Sequence, residues 1–191
     1  LAGTVLEEPR CTVERADASL TYSLFLQRFA FSRPVILGGV TDNSPPPLTG
    51  LISRVPPDTL YFFGDNNFTE WGPLFQHYVP PPFRIPGTSP AYSFGIAGSG
   101  SGVPFHWHGP GFSEVIFGRK RWFLYPPDKT PHFHPNETTL AWLQHTYPTL
   151  APAQRPLECT LRPGEVLYFP DRWWHATLNL DTSVFISTFL G

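Results

Sequence analysis

Apolar and polar positions alternate along most of this chain in short runs, and Gly or Pro cuts the runs at close intervals. Such runs at residues 59–63, 91–97, 114–117, 121–125, 157–161, 166–169, 176–178 and 184–189 predict strands, because successive strand side chains face opposite sides of a sheet. Arg33-Pro34-Val35-Ile36-Leu37 predicts one more, ending at the pair Gly38-Gly39. Residues 19–29 carry a helical period instead, with Ser19 or Thr21 as N-cap and Leu24, Phe25 and Phe29 as the buried stripe. A second short helix is expected over 138–145, between Tyr125 and Leu157. Residues 44–58 are Pro-rich without periodicity and predict an irregular bridge. Many short strands with Gly and Pro punctuation imply a mainly β sandwich or barrel with short flanking helices. One domain over 1–191 is expected, with a lead-in at 1–43, the bridge at 44–58 and a barrel core at 59–191.

Composition narrows the class. Pro contributes 24 of 191 residues, more than twice the average share of ~5%. With 41% hydrophobic and 16% aromatic residues, the chain is too apolar to stay disordered. A net charge of −2 gives no electrostatic footprint for nucleic acid, and the basic cluster Arg119-Lys120-Arg121 lies inside a strand-like run. No stretch approaches the ~20 apolar residues of a membrane span. The chain starts at Leu1 and contains no Met, so it is expected not to be a complete translation product. Asn67-Phe68-Thr69 and Asn136-Glu137-Thr138 are N-glycosylation sequons and point to the secretory pathway. Cys11 and Cys159 fit either one disulfide in an oxidising compartment or two separate buried thiols.

The chemistry concentrates in His106-Trp107-His108 and in His175. On a strand, His106 and His108 face one way and Trp107 the other. A third imidazole arriving from a later strand completes a set that can hold a metal and leave coordination positions open. This is the logic of the facial-triad iron site, with a histidine replacing the usual carboxylate. Gly98-Ser99-Gly100-Ser101-Gly102 lacks the Lys-Ser/Thr ending of a phosphate loop and supplies backbone freedom before the histidines. His132 and His134 also alternate, but in a Pro-rich loop without a third partner, so surface positions are expected. Glu114 is either a structural residue or a stand-in for the glutamate of a metal-binding motif.

The spacing Gly100-x5-His106-x-His108, paired with Gly164-x5-Pro170-x4-His175-x3-Asn179, resembles the two motifs of the cupin superfamily. The blocks Arg33-Pro34-Val35-Ile36-Leu37, Gly118-Arg119-Lys120-Arg121-Trp122-Phe123-Leu124-Tyr125-Pro126-Pro127 and Trp173-Trp174-His175 narrow the resemblance to its JmjC (jumonji) branch. The resemblance covers nearly the whole chain and implies a double-stranded β-helix, an Fe(II) site and 2-oxoglutarate as cosubstrate. It places His106 and His175 at the first and last iron ligands, and His108 at the Asp/Glu position. Lys120 falls where family members pair a lysine with the distal carboxylate of 2-oxoglutarate, and Tyr61 where relatives offer a phenol. An outward-facing Lys120 is the alternative. Val103 stands where a threonine often precedes the first ligand, and fewer elements than usual separate Leu37 from Tyr61.

Three functions follow as expectations. The leading one is a JmjC-fold regulatory protein of the endoplasmic-reticulum lumen that keeps a metal site with weak or absent oxygenase activity. Next is an Fe(II)/2-oxoglutarate-dependent hydroxylase, and last a three-histidine cupin dioxygenase that does not use 2-oxoglutarate. A protein is the expected partner or substrate.

Overall fold

The computed structural model describes residues 10–43, 61–64 and 68–191, so the bridge at 44–58 and Asn67 lie outside the described residues. The strands are β1 Arg15–Ala16, β2 Val35–Gly38, β3 Tyr61–Phe63, β4 Pro90–Ala97, β5 Gly102–His106, β6 Gly111–Phe117, β7 Lys120–Tyr125, β8 Leu157–Leu161, β9 Glu165–Phe169, β10 Trp174–Asn179 and β11 Ser183–Leu190. They form a seven-stranded sheet, ordered β1-β2-β9-β6-β11-β4-β3, and a four-stranded sheet, ordered β5-β10-β7-β8. Neighbours such as β2 with β9 and β5 with β10 are remote in sequence, and every pair except β1–β2 is antiparallel. This winding is the double-stranded β-helix expected from the sequence. The two sheets face each other, and Trp122 on β7 stacks on Phe169 of β9 at 5.8 Å between ring centroids.

Among the described residues three α-helices flank the sheets: α1 Tyr22–Arg28, α2 Phe68–Phe75 and α3 Thr139–His145. Thr21 caps α1 by accepting from the Leu24 N–H. Phe25 and Phe29, four residues apart, are buried beneath it, whereas Leu24 is 42% exposed. The expected stripe was thus one residue too wide, because a single helical step turns Leu24 about 100° from Phe25. Gly72 and Pro73 hide α2 from a pattern reading. It forms where Trp71 stacks on Phe94 at 5.7 Å and Phe75 meets Tyr92 at 5.8 Å, so tertiary packing overrides propensity. Thr138 caps α3, whose Trp142 packs edge-on against Phe105 and Phe123 of the small sheet.

Cys11 and Cys159 are joined by a disulfide with Cα atoms 4.4 Å apart, tying the start of the described chain to β8. No helix among the described residues is long and apolar enough to cross a membrane.

Candidate metal centre

The site is built where β5 and β10 run side by side. His106 ends β5 and pairs in register with His175 of β10, and the register then slips before Thr177. A bulge of this kind re-aims a side chain. Gly102 allows the close approach, since a Cβ there would stand 1.9 Å from the Thr177 carbonyl oxygen. The chain leaves β5 after His106, yet His108 still turns to the same side, and Trp107 points away and is 52% exposed.

The three imidazoles converge. Their ring centroids lie 4.2 Å (His106–His175), 4.7 Å (His108–His175) and 5.5 Å (His106–His108) apart. One ligand atom from each falls within 4.8 Å of the others. Each Nδ1 meets a backbone carbonyl: Pro104 at 2.8 Å for His106, Gly109 at 2.9 Å for His108 and Trp173 at 2.9 Å for His175. A carbonyl oxygen only accepts, so each Nδ1 carries the proton and each neutral ring presents its Nε2 lone pair to the centre. Metal-bound histidines are held in this manner, with the second ring nitrogen donating to a fixed acceptor. Burial holds all three rings below the usual imidazole range. For His175 the effect is strongest, reinforced by the nearby charges of His106 and His108. Neutral imidazole is the ligating form. The donor set therefore fits a divalent metal.

Behind the histidines lies a cavity of about 190 Å³ whose walls include Lys120, Tyr61, Trp122, Thr177 and Phe185. No carboxylate lines it among the described residues. Lys120 faces inward, which closes the outward alternative, and is only 2% exposed. Burial pushes its ammonium well below the ordinary lysine range. The Trp122 indole N–H is buried beside it without a hydrogen-bond partner. Tyr61 borders the same cavity, its ring centroid 5.8 Å from the Lys120 Nζ.

Other sequence candidates separate from this centre. Glu114 is buried on β6 and accepts from Thr41 Oγ1 at 2.7 Å, Asn43 Nδ2 at 3.1 Å and Tyr78 OH at 2.9 Å. It clasps two loop segments to the large sheet, and it is not among the residues walling the cavity. His132 and His134 are exposed, as expected, and so is Asn136. Sequence reasoning missed Phe185 and the unpartnered Trp122 indole. The alternation Phe185, Ser187, Phe189 on β11 was the available signal, since all three line the cavity.

A double-stranded β-helix with a metal-competent histidine set between its sheets defines a cupin-type protein. Residues 97–189 match the cupin-like domain family. The chain is 62% identical to JmjC domain-containing protein 8 of Rattus norvegicus, over 98% of this chain and 85% of that protein. It is 36% identical to the lysine-specific demethylase JMJ21 of Arabidopsis thaliana, over 68% of this chain and 16% of that one. This chain belongs to the JmjC domain-containing protein family. Among solved structures, YcfD of E. coli shares the fold, with a TM-score of 0.55 and 18% identity, over 91% of this chain and 53% of that one. The alignment with the rat protein runs over 231 residues, so that relative has internal residues without counterparts among the 191 here.

Proposed function

We propose that this chain is a regulatory JmjC-fold protein of the endoplasmic-reticulum lumen that retains a divalent metal site and has weak or absent oxygenase activity. The observation that carries the reading is the donor set: three neutral imidazoles, each fixed through Nδ1, with no carboxylate lining the cavity among the described residues. His106, His108 and His175 would hold the metal, with iron(II) the family's expected ion. An oxygenase metal supplies oxygen activation when bound, and a carboxylate ligand normally lowers the charge of such a centre. Here the three neutral ligands would leave the bound ion its full double charge, in the cavity that Lys120 also lines.

The lumenal address is supported by the Cys11–Cys159 disulfide and by the exposed sequon asparagine Asn136. A protein partner suits the exposed Trp107 next to the metal ligands, because tryptophan is enriched at interface hot spots. A second reading, a 2-oxoglutarate-dependent protein hydroxylase, is favoured by the inward-facing Lys120. It also draws on YcfD, described as a ribosomal oxygenase in complex with cobalt and succinic acid.

Anaerobic titration of the purified protein with iron(II) or zinc, followed by a 2-oxoglutarate decarboxylation assay in air, tests the proposal. Metal binding that requires His175, with decarboxylation at background, is the expected result. Substantial turnover by the native chain would favour the hydroxylase, and absence of metal binding would remove the site.

A further inference from the structure

Lys120 is the cation of the cavity, and its amine is already covered. Its Nζ lies 3.2 Å from the centroid of the Phe185 ring, with the Tyr61 and Trp122 rings at 5.8 Å and 6.0 Å. Among the described residues the amine has no hydrogen-bond or ion-pair partner, so an aromatic face is its main neighbour. Phe185 is 1% exposed, and its seat is built into the fold. The ring occupies the space over Gly95, its cross-strand partner on β4, where a Cβ would stand 2.3 Å from the ring. Phe63 flanks it at 5.5 Å and Tyr61 at 6.4 Å. A glycine at position 95 is therefore what leaves room for the ring beside the Lys120 amine.

We propose that Phe185 is a specificity-determining residue whose ring competes with the distal carboxylate of a long dicarboxylate for Lys120. This rests on the metal-site reading above and deepens it. A five-carbon dicarboxylate held at the three histidines by one end has Lys120 as the cation of the same cavity for its other carboxylate, and the Phe185 ring lies against that amine. A two-carbon anion such as oxalate uses only the metal end and avoids the ring.

The test is calorimetric titration of the zinc-loaded full chain with oxalate and with 2-oxoglutarate, for wild type, Phe185→Leu and the double variant Phe185→Leu/Lys120→Met. Wild type is expected to bind oxalate at least tenfold more tightly than 2-oxoglutarate. Phe185→Leu should gain tenfold or more for 2-oxoglutarate and stay within twofold for oxalate, and the double variant should lose that gain. A wild type that prefers 2-oxoglutarate overturns the proposal, as does a Phe185→Leu chain with an unchanged preference. If Phe185→Leu does not fold, the wild-type order of the two anions decides alone. Zinc uptake is measured separately by chelator competition. A chain that takes no zinc defeats the metal reading, and 2-oxoglutarate binding to metal-free wild type and Phe185→Leu then decides the role of the ring: a gain on its removal supports the proposal, and no gain overturns it.

Discussion

The Nε2 atoms of His108 and His175 stand 3.1 Å apart, and neither ring has a proton there to share. Both rings spend their single N–H on backbone carbonyls through Nδ1, so two lone pairs face each other. Protonating either ring would relieve the opposition, but burial disfavours that charge at both. A divalent cation between them would take up both lone pairs without adding a proton.

Metal should therefore stabilise the fold. Zinc at a hundred times its Kd is expected to add about 2.7 kcal/mol, read as a rise in Tm, and His175→Ala should abolish the rise. Equal Tm values with and without zinc would remove the metal from the folded state's energetics.

Lys120→Met should stabilise the metal-free protein at neutral pH. The folded-state pKa is depressed, so the unfolded chain binds the proton more readily, and stability rises with pH up to the unfolded value of 10.5. Methionine removes that cost and keeps the apolar stem, for a gain of about 1–3 kcal/mol. Urea unfolding at pH 7 and pH 9 checks it: the advantage of the variant should shrink at the higher pH. A variant less stable than wild type at pH 7 would mean that the amine has a favourable partner.

Glu114→Ala should cost about 1–3 kcal/mol, because it strands the buried hydroxyl of Tyr78 and removes the acceptor of the half-buried Thr41 and Asn43. Zinc affinity should not change, since Glu114 belongs to a clasp and not to the metal centre. A variant that weakens zinc tenfold at unchanged stability would return Glu114 to the site.

The histidine cluster was legible in the sequence because its geometry is local. His-x-His needs only strand alternation, and the His175 motif brings its own turn residues, Gly164 and Pro170. The lysine was legible as a candidate, but its direction depended on which face of β7 meets the second sheet. Phe185 was hidden for a related reason. Its neighbours Val184 and Ile186 are also apolar and buried, so the alternation of Phe185, Ser187 and Phe189 marks a face without saying which face meets the cavity. The clasp on Glu114 joins segments more than 70 residues apart in part, which no local period reports. Helix α2 fell to Gly72 and Pro73, whose local preference is outweighed by the aromatic contacts of Trp71 and Phe75.

The Cys11–Cys159 bridge spans 148 residues and closes nearly the whole described chain. In the chain-entropy picture a loop of that size contributes on the order of 4–5 kcal/mol. The double variant Cys11→Ser/Cys159→Ser should lose a comparable amount in urea unfolding, and reducing agent should have no further effect on it. Unchanged stability of the double variant would make the bridge irrelevant to the fold.

His108→Asp tests whether a carboxylate at this position changes what the site can do. The substitution puts an anion beside His175 and lowers the charge of a bound metal centre, since unit charges 4 Å apart interact by about 4 kcal/mol at an effective dielectric of 20. Part of that is spent on burying the carboxylate, so a gain of about tenfold in iron(II) affinity is expected, measured by chelator competition. Decarboxylation of 2-oxoglutarate by this single variant should rise only slightly, because the Phe185 ring still covers Lys120. Combining His108→Asp with Phe185→Leu removes both obstacles, and the double variant should exceed either single one. Wild-type turnover equal to that of His108→Asp would sink the idea of a silenced centre and make the three histidines a working ligand set.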